Sequence, residues 1–169
     1  ELAIAGIDPN DDIYLLDWWA GQKPMDVWID AQLDLAQKHG PVKWGAEGGM
    51  IRRASEPYLN KRMRERRVYF VMEWFPAIAD KATNLRSFQA RAKQGKVYLP
   101  KNTPWADDLV SQLCRFPKGK YDDKADVCGL FGRMIDGMHG AIVPGAPKLK
   151  LVADSYGFNE EPEEDWKLA

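Results

Sequence analysis

The opening of the chain constrains its fold most. Two apolar runs, 2–7 (Leu-Ala-Ile-Ala-Gly-Ile) and 13–18 (Ile-Tyr-Leu-Leu-Asp-Trp), flank Asp8-Pro9-Asn10-Asp11-Asp12. Proline presets a turn dihedral, and Asn and Asp side chains bond their own backbone, so this segment reverses the chain. Strand-like runs on both sides then read as an antiparallel hairpin. An all-parallel sheet is excluded from the start.

Beyond the hairpin the chain alternates. Val27, Trp28, Ala31, Leu35 and Ala36 recur at helical spacing, and Gly40-Pro41 stops them. Residues 42–46 read as a short buried strand ending at Glu47. Gly48-Gly49 breaks it, and a basic helix is expected over roughly 55–66. Residues 68–74, β-branched and aromatic, predict a strand. A helix over 80–94 is stopped by Gly95, a small strand comes next at 96–99, and two helices are expected at 104–114 and 122–138. An antiparallel start and then alternation predict an α/β fold, a mixed sheet with helices on both faces. One domain is expected over 1–140. The Pro144-Gly145-Ala146-Pro147 stretch breaks regular structure, and 141–169 reads as a C-terminal extension.

At 169 residues with 45% hydrophobic and 11% aromatic content, the chain can bury one core of its own. Its apolar runs are too short to cross a bilayer, and its start lacks the order of a signal peptide, so it reads as soluble with no membrane partner. Cys114 and Cys128 lack CxxC spacing and read as reduced, packed thiols of an intracellular protein. The formal net charge of −1 rules out a strongly basic domain. The distribution is uneven, however. Residues 51–67 hold Arg52, Arg53, Lys61, Arg62, Arg64, Arg66 and Arg67 against Glu56 and Glu65. Such a segment can bind phosphate locally; the bland alternative is a solvated helix face tied to acidic neighbours. The acidic stretch Glu160, Glu161, Glu163, Glu164 and Asp165 reads as solvated tail.

Two acidic features could carry chemistry. Glu47 stands where a strand gives way to Gly-Gly, a place where α/β sheets present functional side chains and glycines admit a ligand closely. It could equally be an exposed strand-end carboxylate. In Asp122-Asp123-Lys124-Ala125-Asp126, Asp122 and Asp126 lie four apart and Asp123 and Asp126 three apart, so either pair shares a face within one helical turn. Crowded carboxylates repel unless a cation sits among them, and a helix N-terminus offsets part of that repulsion. The alternative is capping by one aspartate with the others solvated. The apolar stripe Val127, Leu130, Phe131, Met134 and Ile135 puts Asp123 and Asp126 near the buried edge. Carboxylates suit Mg²⁺ or Mn²⁺, and two such ions about 3.5–4 Å apart stabilise both attacking and leaving oxygens in phosphodiester hydrolysis. Other chemistries lack their residues. There is no phosphate-cradling Gly-x-x-x-x-Gly-Lys-Ser/Thr loop and no Gly-x-Ser-x-Gly elbow. His39 and His139 have no partner at a telling spacing. Trp18, Trp28 and Trp44 lie on apolar faces and read as core.

Several stretches, in order and with similar spacing over 2–138, resemble the nuclease domain of tailed-phage terminase large subunits. They are Ile13-Tyr14-Leu15-Leu16-Asp17-Trp18-Trp19, the segment 44–51 around Glu47, Asp80-Lys81, Gly95-Lys96-Val97-Tyr98-Leu99-Pro100, Trp105, and Phe116-Pro117-Lys118-Gly119-Lys120-Tyr121-Asp122-Asp123-Lys124-Ala125-Asp126. The last run is the specific part. The resemblance implies a ribonuclease H-like fold, two divalent metal ions (Mg²⁺ or Mn²⁺), and endonucleolytic cutting of concatemeric double-stranded phage DNA during packaging. It makes Glu47 the central-strand glutamate and Asp123 the last-helix metal ligand, with Asp122 and Asp126 as close neighbours at the catalytic centre. Lys81 is then a contact to the DNA backbone; Arg53, Lys61 and Arg64 of the basic segment, with Lys120, are further DNA-binding candidates by their charge rather than by the resemblance. It also implies the host cytoplasm as location, with portal and small terminase subunit as partners through the full-length protein. Family members carry an essential aspartate on a first strand, expected here upstream of Glu1. Tyr121, Ala46 and Asn84 stand where histidine, an acidic residue and arginine are common. The competing readings are a non-catalytic DNA-docking module of a packaging motor and a related junction-resolvase-like nuclease.

Overall fold

The structure, a computed structural model, describes residues 1–138 apart from Val42 and Ala79. The expected extension over 141–169, together with His139, lies outside the described residues. The element order is β1 (Leu2–Ile7), β2 (Ile13–Trp19), α1 (Met25–His39), β3 (Lys43–Glu47), α2 (Met50–Arg66), β4 (Val71–Phe75), α3 (Lys81–Lys93), β5 (Val97–Tyr98), α4 (Pro104–Arg115) and α5 (Asp123–Asp136).

The hairpin forms as the turn chemistry requires. Asp8 Oδ1 accepts the backbone N–H groups of Asn10 and Asp12, each at 2.9 Å, and β1 and β2 pair antiparallel. The register shifts between Ile4, opposite Asp17, and Ala5, opposite Leu15, leaving Leu16 as a bulge. A bulge changes which face later side chains point to. It lets Ile13 and Leu15 share one core with Trp18, which strict alternation would have sent to the other side.

Helices cover both faces, as alternation along the strands demonstrates. Ile4 packs with Leu35 and Ala36 of α1, whereas its neighbours Ala3 and Ala5 pack on the core of α3, α4 and α5 built around Leu85, Phe88, Leu109 and Cys128. Successive strand residues point to opposite faces. In β3, likewise, Trp44 joins the α1 side while Gly45 faces Met134 of α5 so closely that a Cβ would collide with its Sδ. A third cluster, Ile29 and Leu33 with Leu59 and Met63, binds α2 to α1.

The single sheet expected from the sequence is two sheets. One is three-stranded and mixed, in the order β1-β2-β5 with β5 parallel to β2; the other is the parallel pair β3-β4. Among the described residues no strand pairing joins β1 to β3. Two boundaries also differ from expectation. α2 starts at Met50 rather than near 55, because Met50 and Ile51 are 85% and 62% exposed and give no apolar periodicity to read. β4 starts at Val71 rather than 68, because the N–H of Val68 bonds Met63 O at 3.1 Å and closes α2. Both cysteines are free; Cys128 is buried as expected, but Cys114 is exposed. No described helix is long and apolar enough to cross a membrane.

Candidate functional site

Glu47 is half-buried at the last position of β3, paired with Phe75 at the end of β4. The chain leaves the strand through Gly48, whose N–H bonds Phe75 O at 2.8 Å, and Gly49, with φ 96° and ψ −140°. Side chains other than glycine's rarely tolerate that conformation. The turn into α2 directly behind Glu47 therefore depends on Gly49.

The aspartates meet at the start of α5. Asp122 is the N-cap residue, yet its carboxylate makes no capping hydrogen bond. Instead, Lys81 Nζ lies 2.7 Å from Asp122 Oδ2 and 2.8 Å from Asp126 Oδ2. Hydrogen bonds from the ammonium to Asp122 and Asp126 raise the Lys81 pKa, against the lowering effect of desolvation. One cation thus bridges two carboxylates of the cluster. Asp123 is exposed and has no ion-pair partner among the described residues.

Lys81 is put there by α3. Asp80 caps that helix, accepting from Ala82 N at 3.1 Å and Thr83 Oγ1 at 2.5 Å, and the Thr83 bond leads in holding its carboxyl below the ordinary range. The helix then crosses α5 where Gly129 and Gly132 leave no room for a Cβ. At those positions a Cβ would stand 2.5 Å from Asn84 Nδ2 and 2.9 Å from the backbone N of Phe88. Close helix packing of this kind sets the reach of Lys81 to the first turn of α5.

Glu47, Asp123 and Asp126 line one cavity of about 850 Å³. The candidate catalytic residues, remote in sequence, are thus brought to one space, with Asp122 turned aside to Lys81. Oxygen donors of this type suit a hard divalent cation. Among the described residues, however, no group of three or more Asp, Glu, His or Cys side chains could hold a metal ion. The residues fit such an ion by donor type and not by convergence.

The basic segment divides into two kinds of residue. Arg62 bonds Asp30 at 2.7 Å and Glu65 at 2.7 Å, and Arg66 bonds Asp34 at 2.6 Å, so these two tie α2 to α1. Arg52 pairs with Glu56 at 3.0 Å and lies over the Trp74 ring, and Lys61 is 3.8 Å from Glu65. Arg53 and Arg64 are exposed and make no ion pair among the described residues. Lys120 lies over the Tyr121 ring, 5.1 Å from its centroid. Asn84, where arginine is common in the resembled family, is buried against Gly129.

Two polar groupings carried no local signal in the sequence. Lys124 is only 2% exposed, pairs with Glu1 at 3.2 Å and Asp108 at 3.4 Å, and sits 4.9 Å from the Trp18 ring centroid. Asp17 accepts from Lys38 Nζ at 2.7 Å and meets His39 Nε2 at 2.9 Å. Desolvation pushes the Asp17 carboxyl up, but the Lys38, His39 and Trp18 hydrogen bonds outweigh it and hold the pKa at about 2. Compared with family models, with curated proteins and with solved structures, the chain finds no match.

Proposed function

We propose that the chain is the nuclease module of a packaging terminase, a ribonuclease H-like domain that cuts concatemeric double-stranded DNA with the help of Mg²⁺ or Mn²⁺. One observation carries the reading: Glu47 from the end of β3 and Asp123 and Asp126 from the first turn of α5 open onto the same cavity. Carboxylates drawn from distant elements to one space are what divalent-metal phosphodiester hydrolysis requires. The opening hairpin, the parallel β3-β4 pair and the helices on both faces agree with the ribonuclease H-like expectation.

Bound ions would supply charge stabilisation for the oxygens that attack and leave phosphorus. The chain's own part is to present the Glu47 and Asp123 oxygens to the cavity, while Asp126 is shared with Lys81. Holding an ion needs at least one further donor beside them. The portal and small terminase subunit, as partners of the full-length protein, and the host cytoplasm, as its location, belong to the same proposal.

A second reading, DNA docking without catalysis, draws support from the same cluster. Lys81 already neutralises two of its carboxylates, and no three-donor group stands ready among the described residues. Supercoiled plasmid incubated with the protein and Mn²⁺, with and without chelator, separates the two. Nicking that the chelator stops supports the nuclease; retention of plasmid without nicking supports docking. Nicking that is equal with chelator, or neither retention nor nicking, overturns both.

A further inference from the structure

A smaller cleft lies away from the carboxylates, between α3 and the end of α4. Ala82, Leu85 and Ala92 of α3 line it together with Leu113 of α4 and with Phe116 and Pro117 beyond that helix. Its volume is about 300 Å³, and Gln89 is the one polar residue among those that line it. That is the small end of the range for ligand pockets, a space suited to one large apolar side chain of an incoming segment.

The rim of this cleft carries a single sign of charge. Arg86 follows Ala82 by four residues and Lys93 follows Gln89 by four, so each stands one helical turn from a lining residue on the same face of α3. Arg115 and Lys118 flank Phe116-Pro117, and the N–H of Lys118 bonds Arg115 O at 2.9 Å, which folds the two into one turn. All four cations are exposed, and none makes an ion pair among the described residues. Stretches 81–93 and 109–121 hold seven Lys and Arg residues and no Asp or Glu, in a chain whose formal net charge is −1. The cations of α2 are, by contrast, largely spent on Asp30, Asp34, Glu56 and Glu65.

An apolar floor inside a basic rim calls for carboxylates around a large apolar side chain. Duplex DNA would answer the rim through its phosphates but brings no apolar side chain to the floor. The chain itself contains a matching segment. Phe158-Asn159-Glu160-Glu161-Pro162-Glu163-Glu164-Asp165-Trp166 sets five carboxylates between two aromatic residues, with no Lys or Arg among them. It lies outside the described residues. Phe158 comes twenty residues after Met138, a length that can span up to roughly 65–70 Å, against about 40 Å across a domain of this size.

We propose that segment 158–166 docks on this cleft of its own chain, with Trp166 seated on the apolar floor and the carboxylates before it set against Arg86, Lys93, Arg115 and Lys118. Tryptophan supplies a large apolar surface and an N–H that needs a partner once buried, and the amide oxygen of Gln89 can accept it. Exposed ion pairs contribute little singly, so the rim steers the approach and the anchor fixes the register. The inference stands on the cleft, its rim and the sequence of the tail, and is independent of the nuclease reading. Its consequence is that any polyanion, DNA included, competes with the tail for these cations.

The test uses the full chain. Cys114 is exposed on α4 beside Leu113 and takes a nitroxide spin label, whereas Cys128 is buried and inert. In isotope-labelled protein the nitroxide should erase the amide signals of 158–166. Arg86→Glu with Lys118→Glu, both at exposed positions, should bring those signals back, and adding Glu163→Lys and Glu164→Lys should erase them again. Trp166→Ala alone should also bring them back. Spin-labelled chain mixed with isotope-labelled chain that carries no nitroxide should leave the tail signals intact. Tail signals that persist beside the nitroxide in the parent overturn the proposal, as does a loss that survives the rim reversal or Trp166→Ala. Loss in the mixed sample overturns it by placing the tail on a second copy. Persistent tail signals together with cleft signals that shift on adding duplex DNA overturn it by assigning the rim to phosphate.

Discussion

Replacing Gly132 by alanine tests the helix crossing on which the site's arrangement depends. Gly132 is buried in α5, and a Cβ there would stand 2.9 Å from the backbone N of Phe88 and 3.1 Å from Ser87 Cβ. A backbone atom cannot rotate aside as a side-chain tip can, so α3 and α5 would have to separate. Alanine gains about 1 kcal/mol over glycine in a helix interior. Overpacking a close approach costs about 1–3 kcal/mol, and a backbone obstruction belongs at the upper end. The net expectation is a loss of about 1–2 kcal/mol. At about 4 °C per kcal/mol for a domain of this size, Tm falls by about 4–8 °C. Gly137→Ala is the control, because its Cβ would meet nothing nearer than Met134 O at 3.7 Å. It should stay within about 0.5 kcal/mol of the parent. Thermal unfolding followed by circular dichroism reads both variants. If Gly132→Ala melts at or above the parent, the crossing is not tight, and the placement of Lys81 against Asp122 and Asp126 loses its support.

Asp123→Asn and Glu47→Gln each keep side-chain volume and should abolish metal-dependent nicking while leaving Tm unchanged; nicking retained in either removes that residue from the site. Substituting Arg53, Lys61 and Arg64 together by alanine should flatten the salt dependence of DNA binding by about 0.9 log units for each phosphate no longer neutralised. Arg62→Ala should instead lower Tm and leave that slope alone, because its guanidinium bridges Asp30 and Glu65. Asp17, with its pKa depressed to about 2, adds stability that is present above the ordinary carboxylate range and is lost as pH falls toward 2. Asp17→Asn should therefore cost about 1–2 kcal/mol at neutral pH. Urea titrations from neutral pH down to about 2 should show that difference closing below about pH 4.

Much of the fold was legible because its signals are local. The Asp8 turn, the period of α1 and the stops at Gly40 and Gly95 act within a few residues, and all of these elements formed. What escaped was non-local. The bulge at Leu16 is a property of pairing with β1, and no pattern within β2 announces that Trp18 will join the face of Leu15. The start of α2 at Met50 has no apolar face to betray it. The division into two sheets is likewise a fact about which edges meet, and strand-forming residues encode their faces far more strongly than their edge partners.

Of the candidate site, the spacing within the aspartate cluster was legible in the sequence, and its charge balance was not. Spacing alone showed that Asp122 and Asp126 could share a turn of helix, but not that a lysine 45 residues from Asp126 would bridge them. That bridge decides which carboxylate is available. Lys81 offsets the two aspartates it touches, and the N-terminal dipole of α5 acts most strongly within its first turn. Asp123 is left as the carboxylate of the cluster without an ion-pair partner among the described residues, and it lines the cavity that Glu47 also reaches. A cation or a DNA phosphate arriving there would meet uneven charge, with Asp123 and Glu47 open to the positive and Lys81 already engaged. Binding a phosphate through Lys81 would leave Asp122 and Asp126 uncompensated unless another positive charge took its place. On the proposed reading, a cation that took over Asp122 and Asp126 would free Lys81 for DNA, so the two binding events would be favourable together and costly apart.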